Sequence, residues 1–494
     1  MSFQKTWSAQ IFETKPMIVS IEIDTGRGLH SFSIIGLCST LVGEAKDRIS
    51  AAIKNSGFVS PKQKNQKITI SLGPSHIKKE SASFDLGMSI AYLASQNEIP
   101  IPDEGILFLG ELSLDGTVKS VRGVLPITMA AKKAGFKEII LPKENTEEAS
   151  LISGIIIRGT DSISEVVNHL KGVAILEITA HHAFNSVNIS NENDFNRIIG
   201  NNYAKRGLEI AVAGKHNIAL WGPAGTGKSM LAKAVPTILP RLSFDEAVEV
   251  AGIHSHLSSE RCELTSPPFR SPHHSSSYSA IIGGGSPVRA GEISLAHKGI
   301  LLMDEFLEFD KRVINSLREP LEDHKICISR SSGIINLPSD FILIATMNPC
   351  PCGYFGVTKG KSKCECPAYR IEDYRRKISG PISDRIDMWI EVSEIDRPKI
   401  IEYSVSGKDS LEESSMDIRR RIEESNSFSE KYSTDNNLSP KDAKILEKAS
   451  EKMQLSSRSI KKTIYLARTI ANLEKSEEIK TPHILEALQY RQKF

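Results

Sequence analysis

Eight consecutive residues, Gly222-Pro223-Ala224-Gly225-Thr226-Gly227-Lys228-Ser229, have the types and spacing to hold the phosphates of a nucleotide. They fit the pattern G-x-x-x-x-G-K-[ST], in which glycines let successive backbone amides wrap a β-phosphate, the lysine reaches the β- and γ-oxygens, and the hydroxyl ligates Mg²⁺. ATP and Mg²⁺ are the expected ligands. Downstream, the apolar run Ile300-Leu301-Leu302-Met303 ends in Asp304-Glu305. Asp304 is suited to holding the hydrated Mg²⁺ and Glu305 to polarising an attacking water, because phosphoryl transfer depends on positioning and charge stabilisation. Paired acids after a strand are also ordinary turn residues; the phosphate loop upstream is what favours a catalytic reading. In Ala345-Thr346-Met347-Asn348-Pro349, the Asn348 amide can orient that water or meet the γ-phosphate, or merely cap a turn before the proline. Arg385, between acids in Ser383-Asp384-Arg385-Ile386-Asp387, reads in isolation as a routine ion pair.

A second chemistry lies between Asn348 and Arg385. Cys350-Pro351-Cys352 and Cys364-Glu365-Cys366 supply four thiols in two close pairs. Such a set suits tetrahedral Zn²⁺, whose binding would staple a loop with little apolar content of its own. The pairs are tighter than the usual C-x-x-C, so free or transiently oxidised thiols and a catalytic metal stay open as alternatives. The same stretch is the most basic in the chain, with Lys359, Lys361, Lys363, Arg370, Arg375, Arg376 and Lys377.

These residues need a scaffold, and the apolar patterning supplies one. Asn217 to Trp221, Gly299 to Met303 and Phe341 to Ala345 are continuous apolar runs ending in polar clusters, as expected of central parallel strands covered on both faces. Ligands gather at the carboxyl ends of such strands. Lys325 to Phe341, with β-branched residues around Ser332-Gly333, predicts a hairpin. Before this region, residues 1–171 mix short strands with amphipathic helices, and Leu41, Ala45, Ile49 and Ala52 share one helical face. Residues 172–194 are polar and read as a linker. After it, residues 396–494 are expected to be helical: Ser439-Pro440 and Thr481-Pro482 look like helix starts, and Ile460, Ile464, Ala467 and Ala471 mark one apolar face.

The chain has 494 residues, enough for about three domains, and its 62 basic and 60 acidic residues leave a net charge of +2. That balance excludes a bulk polybasic binder, so any polyanion site must be a local patch. Lys62, Lys64, Lys67, Lys78 and Lys79 form one candidate patch, as a nucleic-acid surface or a solvated face. No apolar run reaches the length of a membrane span, the start lacks a signal-like stretch, and seven cysteines are few for a disulfide scaffold. A cytoplasmic protein without membrane contact is expected.

Taken together, the phosphate loop, Asp-Glu strand, Asn strand, Asp-Arg-Ile-Asp string and helical tail resemble an AAA+ ATPase. Phe269-Arg270-Ser271-Pro272-His273-His274, Gly283-Gly284-Gly285, Pro287 and Gly291 to Gly299 narrow the resemblance to its magnesium-chelatase-like branch, and within it to the ComM/YifB family. The resemblance implies an α/β P-loop AAA+ core over 195–395, a parallel sheet between helices, with a C-terminal helical lid. It makes Arg385 an arginine finger offered to a neighbouring subunit and Arg458 a second sensor on the lid, with Arg468 as the rival sensor. It also implies pore loops around 252–290 and 325–341, where Arg270, Arg289, Lys325 and Arg330 are the available cations. Phe108 to Gly116 and Ala134 to Asn145 are similar to the Lon protease domain of the ribosomal-S5-like α+β fold. Val124-Leu125-Pro126 stands where that family carries its catalytic lysine, and Ser81-Ala82-Ser83-Phe84-Asp85 departs from its nucleophile pattern, so a non-proteolytic relative is expected. As activity, the ComM/YifB resemblance implies a homo-hexameric, ATP-driven motor that branch-migrates recombination intermediates in natural transformation. Its implied partners are single-stranded and branched DNA and recombination proteins. A chelatase motor and a protein-remodelling regulator are the competing readings.

Overall fold

The computed structural model describes residues 2–182, 193–255, 266–285, 289–330, 333–356, 363–393, 412–432 and 436–491. Two compact units emerge: Met1–Asn185 with Ser243–Leu264, and Ser186–Leu242 with Thr265–Phe494.

The first unit is built on seven strands, β1 (Ser2–Phe12), β2 (Lys15–Arg27), β3 (Ser31–Ile35), β4 (Gln66–Gly73), β5 (Ile106–Phe108), β6 (Glu138–Pro142) and β7 (Ile156–Thr160), in the order β3-β4-β2-β1-β5-β6-β7. Alternation sets its faces. Ile21 and Ile23 on β2 lie opposite Leu72 and Ile70 on β4, and all four are fully buried against helices α1 (Thr40–Asn55) and α2 (Asp85–Ser95). Each such side chain contributes about 1.5–3 kcal/mol when buried. On α1 the inward row is Val42, Ala45, Ile49 and Ala52; Leu41, expected on that row, is 44% exposed, because in the first turn its neighbour Val42 takes the inward position. The helix Phe244–His254, capped by the reciprocal Ser243 and Glu246 pair, also belongs to this unit, where Ala251 packs with Leu125 and Ile152.

The second unit holds five parallel strands, β8 (Ile218–Trp221), β9 (Phe269–Arg270), β10 (Ile300–Met303), β11 (Ile342–Met347) and β12 (Met388–Glu391), in the order β9-β10-β11-β8-β12. The register sets Met303 beside Ala345 and Trp221 beside Met347, so the phosphate loop, Asp304 and Asn348 all leave the same sheet edge. The hairpin forms as Lys325–Arg330 paired with Gly333–Pro338; the tip residues 331–332 lie outside the described residues. Helices α3 (Ser415–Tyr432), α4 (Pro440–Met453), α5 (Ser457–Leu473) and α6 (Thr481–Gln489) share their apolar core with the sheet, with Leu466, Ala467, Ile470 and Ile484 in one cluster with Ile218 and Ile344. Ser439 caps α4 as its sequence suggests. Helix α6 starts one residue earlier than the Thr481-Pro482 pair implies: Lys480 is the capping residue, and the Thr481 hydroxyl instead donates to Asp442 at 2.5 Å.

Candidate active site

The phosphate loop connects β8 to the helix Lys228–Ala234. Gly225 and Gly227 have φ of +82° and +88°, a region that side-chain-bearing residues avoid, and this sharp path turns the loop into the helix start. Thr226 closes the crest by donating to the Pro223 carbonyl at 3.0 Å. Lys228 is buried and its ammonium donates to the carbonyls of Gly222 (2.7 Å) and Pro223 (2.6 Å). Burial pulls its pKa down to about 8, while nearby Asp304 pulls it back up.

Asp304 is the hub of the site. Its carboxylate accepts from Ser229 Oγ at 2.7 Å and from Thr346 Oγ1 in a short contact. Ser229 and Asp304, expected from sequence to share Mg²⁺, are thus already paired, and a hydroxyl with a carboxylate is the hard-oxygen donor set that Mg²⁺ takes. Thr346 is 2% exposed and its hydroxyl also accepts from the Glu305 amide at 3.1 Å, so one side chain fixes both acids. Sequence reasoning missed it. The signal was there: it is the polar residue within an otherwise apolar strand. Glu305 takes a left-handed backbone (φ +54°), which turns its half-exposed side chain out of the strand. Its Oε2 lies 3.5 Å from His274 Nδ1, and the His274 ring lies tilted against that of His273 with ring centres 4.1 Å apart. His274 therefore joins the site, though the sequence offered it only as part of a family string. Asn348 is half-buried immediately after β11, next to Met347, whose carbonyl receives the Gly222 amide at 3.3 Å.

Arg385 and Arg458 form a second cluster in the same unit. Arg385 donates to the carbonyls of Arg318 (2.9 Å) and Pro381 (2.7 Å) and makes a short ion pair with Glu322. Arg458 reaches the other oxygen of Glu322 at 3.1 Å. One carboxylate thus binds both arginines, which pulls its pKa below the usual range against the opposing effect of desolvation. Lys462, one turn beyond Arg458 on α5, donates to the Arg385 carbonyl at 2.9 Å and pairs with Asp387 at 2.5 Å. Arg468 faces elsewhere: it bonds Asn472 and the carbonyls of Ser476 and Glu477, closing the end of its own helix.

The basic patches are mostly engaged within the protein. Arg270 forms a two-pronged pair with Glu292 at 2.6 and 2.7 Å, whereas Arg289 and Lys325 are exposed. Arg330's side chain and Gly285's neighbours through Pro287 lie outside the described residues, as do Lys359 and Lys361. Lys377 donates to the Leu307 carbonyl at 2.7 Å, and Arg375 lies over the Phe355 ring. In the first unit Lys79 does not belong to any surface: it is fully buried, bonded to the carbonyls of Pro74 and Ile77. Its ammonium is spent on main-chain carbonyls of its own loop. Lys62 pairs with Asp47 and Lys78 with Glu80, which leaves Lys67 exposed.

The four expected cysteine ligands do converge. Cys350, Cys352, Cys364 and Cys366 place their sulfurs within 4.8 Å of one another, with close approaches of 3.3, 3.5 and 3.7 Å. A metal bonded to four sulfurs at about 2.3 Å gives sulfur–sulfur edges of roughly 3.8 Å, so the cluster could bind a metal ion.

A phosphate loop, an Asp-Glu strand and a helical C-terminal region around one parallel sheet define an ATPase of the AAA+ class. Family models agree. One described as magnesium chelatase, subunit ChlI, matches residues 194–400; its C-terminal counterpart matches 411–491, and a further ChlI model matches 21–145. The chain is 36% identical to competence protein ComM of Haemophilus influenzae over 99% of its own length and 98% of that protein, and 36% identical to YifB of Escherichia coli over 96% and 94%. It belongs to the ComM/YifB family of magnesium-chelatase-like AAA+ ATPases. A shorter similarity, 35% over 99 residues and 18% of the relative's length, is to Lon protease 2 of Bacillus subtilis. Among the described residues no helix is long and apolar enough to cross a membrane.

Proposed function

We propose that the protein is an ATP-driven, ring-forming DNA motor that moves branch points in recombination intermediates, serving natural transformation. The hydrolytic half of this reading rests on the bond between Ser229 and Asp304, with Glu305 fixed beside it. Lys228 would meet the β- and γ-phosphates, Ser229 and Asp304 would hold Mg²⁺, and the bound ion would neutralise phosphate charge. Glu305 and Asn348 would position the attacking water. The DNA half is supported by the near full-length similarity to a competence protein.

In this reading residues 195–395 are the ATPase core, 396–494 the lid, 172–194 the linker and 1–171 a Lon-like domain without peptidase chemistry. Arg385 is the finger given to a neighbouring protomer's ATP in a homo-hexamer. Arg458 is the lid's sensor, favoured over Arg468 by its shared carboxylate with Arg385. The cysteine cluster is a structural Zn²⁺ site, and the protein works in the cytoplasm on single-stranded and branched DNA, alongside recombination proteins.

The test is the hydrolysis rate of wild type and Lys228→Ala with no DNA, single-stranded DNA and branched DNA across a salt series. The expected result is stimulation by DNA that fades as salt rises, because phosphate contacts release counterions, and a Lys228→Ala protein that hydrolyses nothing. Hydrolysis indifferent to every DNA would remove the motor reading while leaving the ATPase.

A further inference from the structure

The cysteine cluster and the phosphate loop touch through the main chain. From β11 the chain passes Asn348 and Pro349 into Cys350, then turns at Cys352 and Gly353. The Gly353 amide donates to the Cys350 carbonyl at 3.0 Å, and the Phe355 amide points at Cys350 Sγ at 3.3 Å. That turn aims the Gly353 carbonyl at the phosphate loop, where it accepts from the Ala224 amide at 3.1 Å. The fit is close. Gly353 has φ of +82°, and a Cβ added to it would sit 3.1 Å from Ala224 Cβ.

With the Gly222 amide on Met347, the first and third residues of the loop are both anchored on one continuous segment, 347–353. The Ala224 amide is therefore committed to Gly353, and the amides that follow it are the ones left to wrap phosphate. What holds Gly353 in place is the turn between Cys350 and Cys352, tied to Cys364 and Cys366. Four sulfurs this close repel once ionised and have no shared centre unless a cation supplies one.

We propose that Zn²⁺ in the four-cysteine cluster sets the shape of the phosphate loop through the bond from Ala224 to Gly353, so that nucleotide affinity depends on metal occupancy. The cluster is then a control point on the ATP site as well as a staple for its own loop. This rests on the reading of the cluster as a zinc site.

The test uses the full chain and a fluorescent ATP analogue in excess Mg²⁺. Bound zinc is measured by elemental mass spectrometry, and affinity is measured before and after a zinc-selective chelator, then after zinc is returned. A parallel sample carries Gly353→Ala, which presses a Cβ on Ala224 and leaves every thiol intact. The expected results are about one zinc per chain, about five- to tenfold weaker binding on stripping, recovery on return, and a similar loss in Gly353→Ala with its zinc retained. Zinc-loaded protein whose affinity changes in neither arm overturns the coupling and leaves the zinc site standing. A folded chain without zinc overturns the zinc reading and the control with it. Should Gly353→Ala fail to fold, stripping and restoring the wild type decides the matter.

Discussion

The two units each bring together a hydroxyl, a carboxylate and a cation, with opposite consequences. In the first, Ser83 donates to the Ala9 carbonyl at 2.7 Å and accepts from Ser81 at 2.8 Å, while Asp85 is fully buried and gripped by Arg48 at 2.8 and 3.1 Å. Val124 and Leu125, from the string that departs from the expected Lon-type lysine, are fully buried apolar residues. The Ser83 hydroxyl is thus committed to a main-chain carbonyl. In the second, Ser229 and Thr346 both donate to Asp304 at the carboxyl ends of parallel strands, with Lys228 buried nearby and Glu305 left half-exposed beside them. The types are alike. What separates the two sets is exposure: Ser83 and Asp85 are committed to buried partners, whereas Glu305 keeps half of its side chain in solvent beside the Ser229–Asp304 pair.

The comparison can be broken from either side. The largest effect is expected at Arg385: replacement by alanine should lower hydrolysis by about 10³-fold or more if it acts as a finger in trans. Mixing Arg385→Ala with Glu305→Gln protomers should restore part of the rate, and no recovery in the mixture would count against a shared site. Next, Arg48→Ala should destabilise the first unit by about 3–5 kcal/mol, since it strands a buried carboxylate. Thermal or denaturant unfolding reads this directly, and a drop below about 1 kcal/mol would show the pair to be surface-like.

A subtler test concerns Lys228. Its pKa near 8 lies below the ordinary lysine value, so free protein loses this proton as pH rises through that point. Bound phosphates favour the charged form and raise the pKa again. Nucleotide binding should therefore take up a proton at about pH 8.5 and none at about pH 6.5, and this contribution to affinity should weaken as pH climbs. Calorimetry in buffers of different ionisation enthalpy measures the uptake; equal proton counts at both pH values would show that the Lys228 proton is not linked to nucleotide binding in this range. The smallest effect belongs to Ser83→Ala, which should cost about 1–3 kcal/mol for a lost buried hydrogen bond and leave casein cleavage at background, as in the wild type.

Much of this was legible in the amino-acid order. The phosphate loop, Asp304 and the cysteine pairs are short-range patterns, and strand periodicity placed them on a common sheet edge. What escaped were partnerships between distant residues. Thr346 binding Asp304, His274 approaching Glu305, and Glu322 shared by Arg385 and Arg458 depend on register and helix packing, which no local window encodes. Lys79 misled for the same reason: five lysines in one stretch look alike until burial distinguishes them. The starts of the hairpin and of the helices were readable to within a residue because capping and β-branching are local, whereas the hairpin ends at Pro338 and not at Phe341.

The path of the chain has a practical consequence for anyone dividing this protein. It leaves the first unit near residue 185, returns for 243–264, and leaves again. A fragment beginning at the polar linker would carry the helix Phe244–His254 away from Leu125 and Ile152, exposing an apolar stripe to solvent. Its amino-terminal counterpart would lack that same cover. Cutting where composition changes should thus give two sticky halves, whereas a first portion that keeps the helix Phe244–His254 should stay soluble.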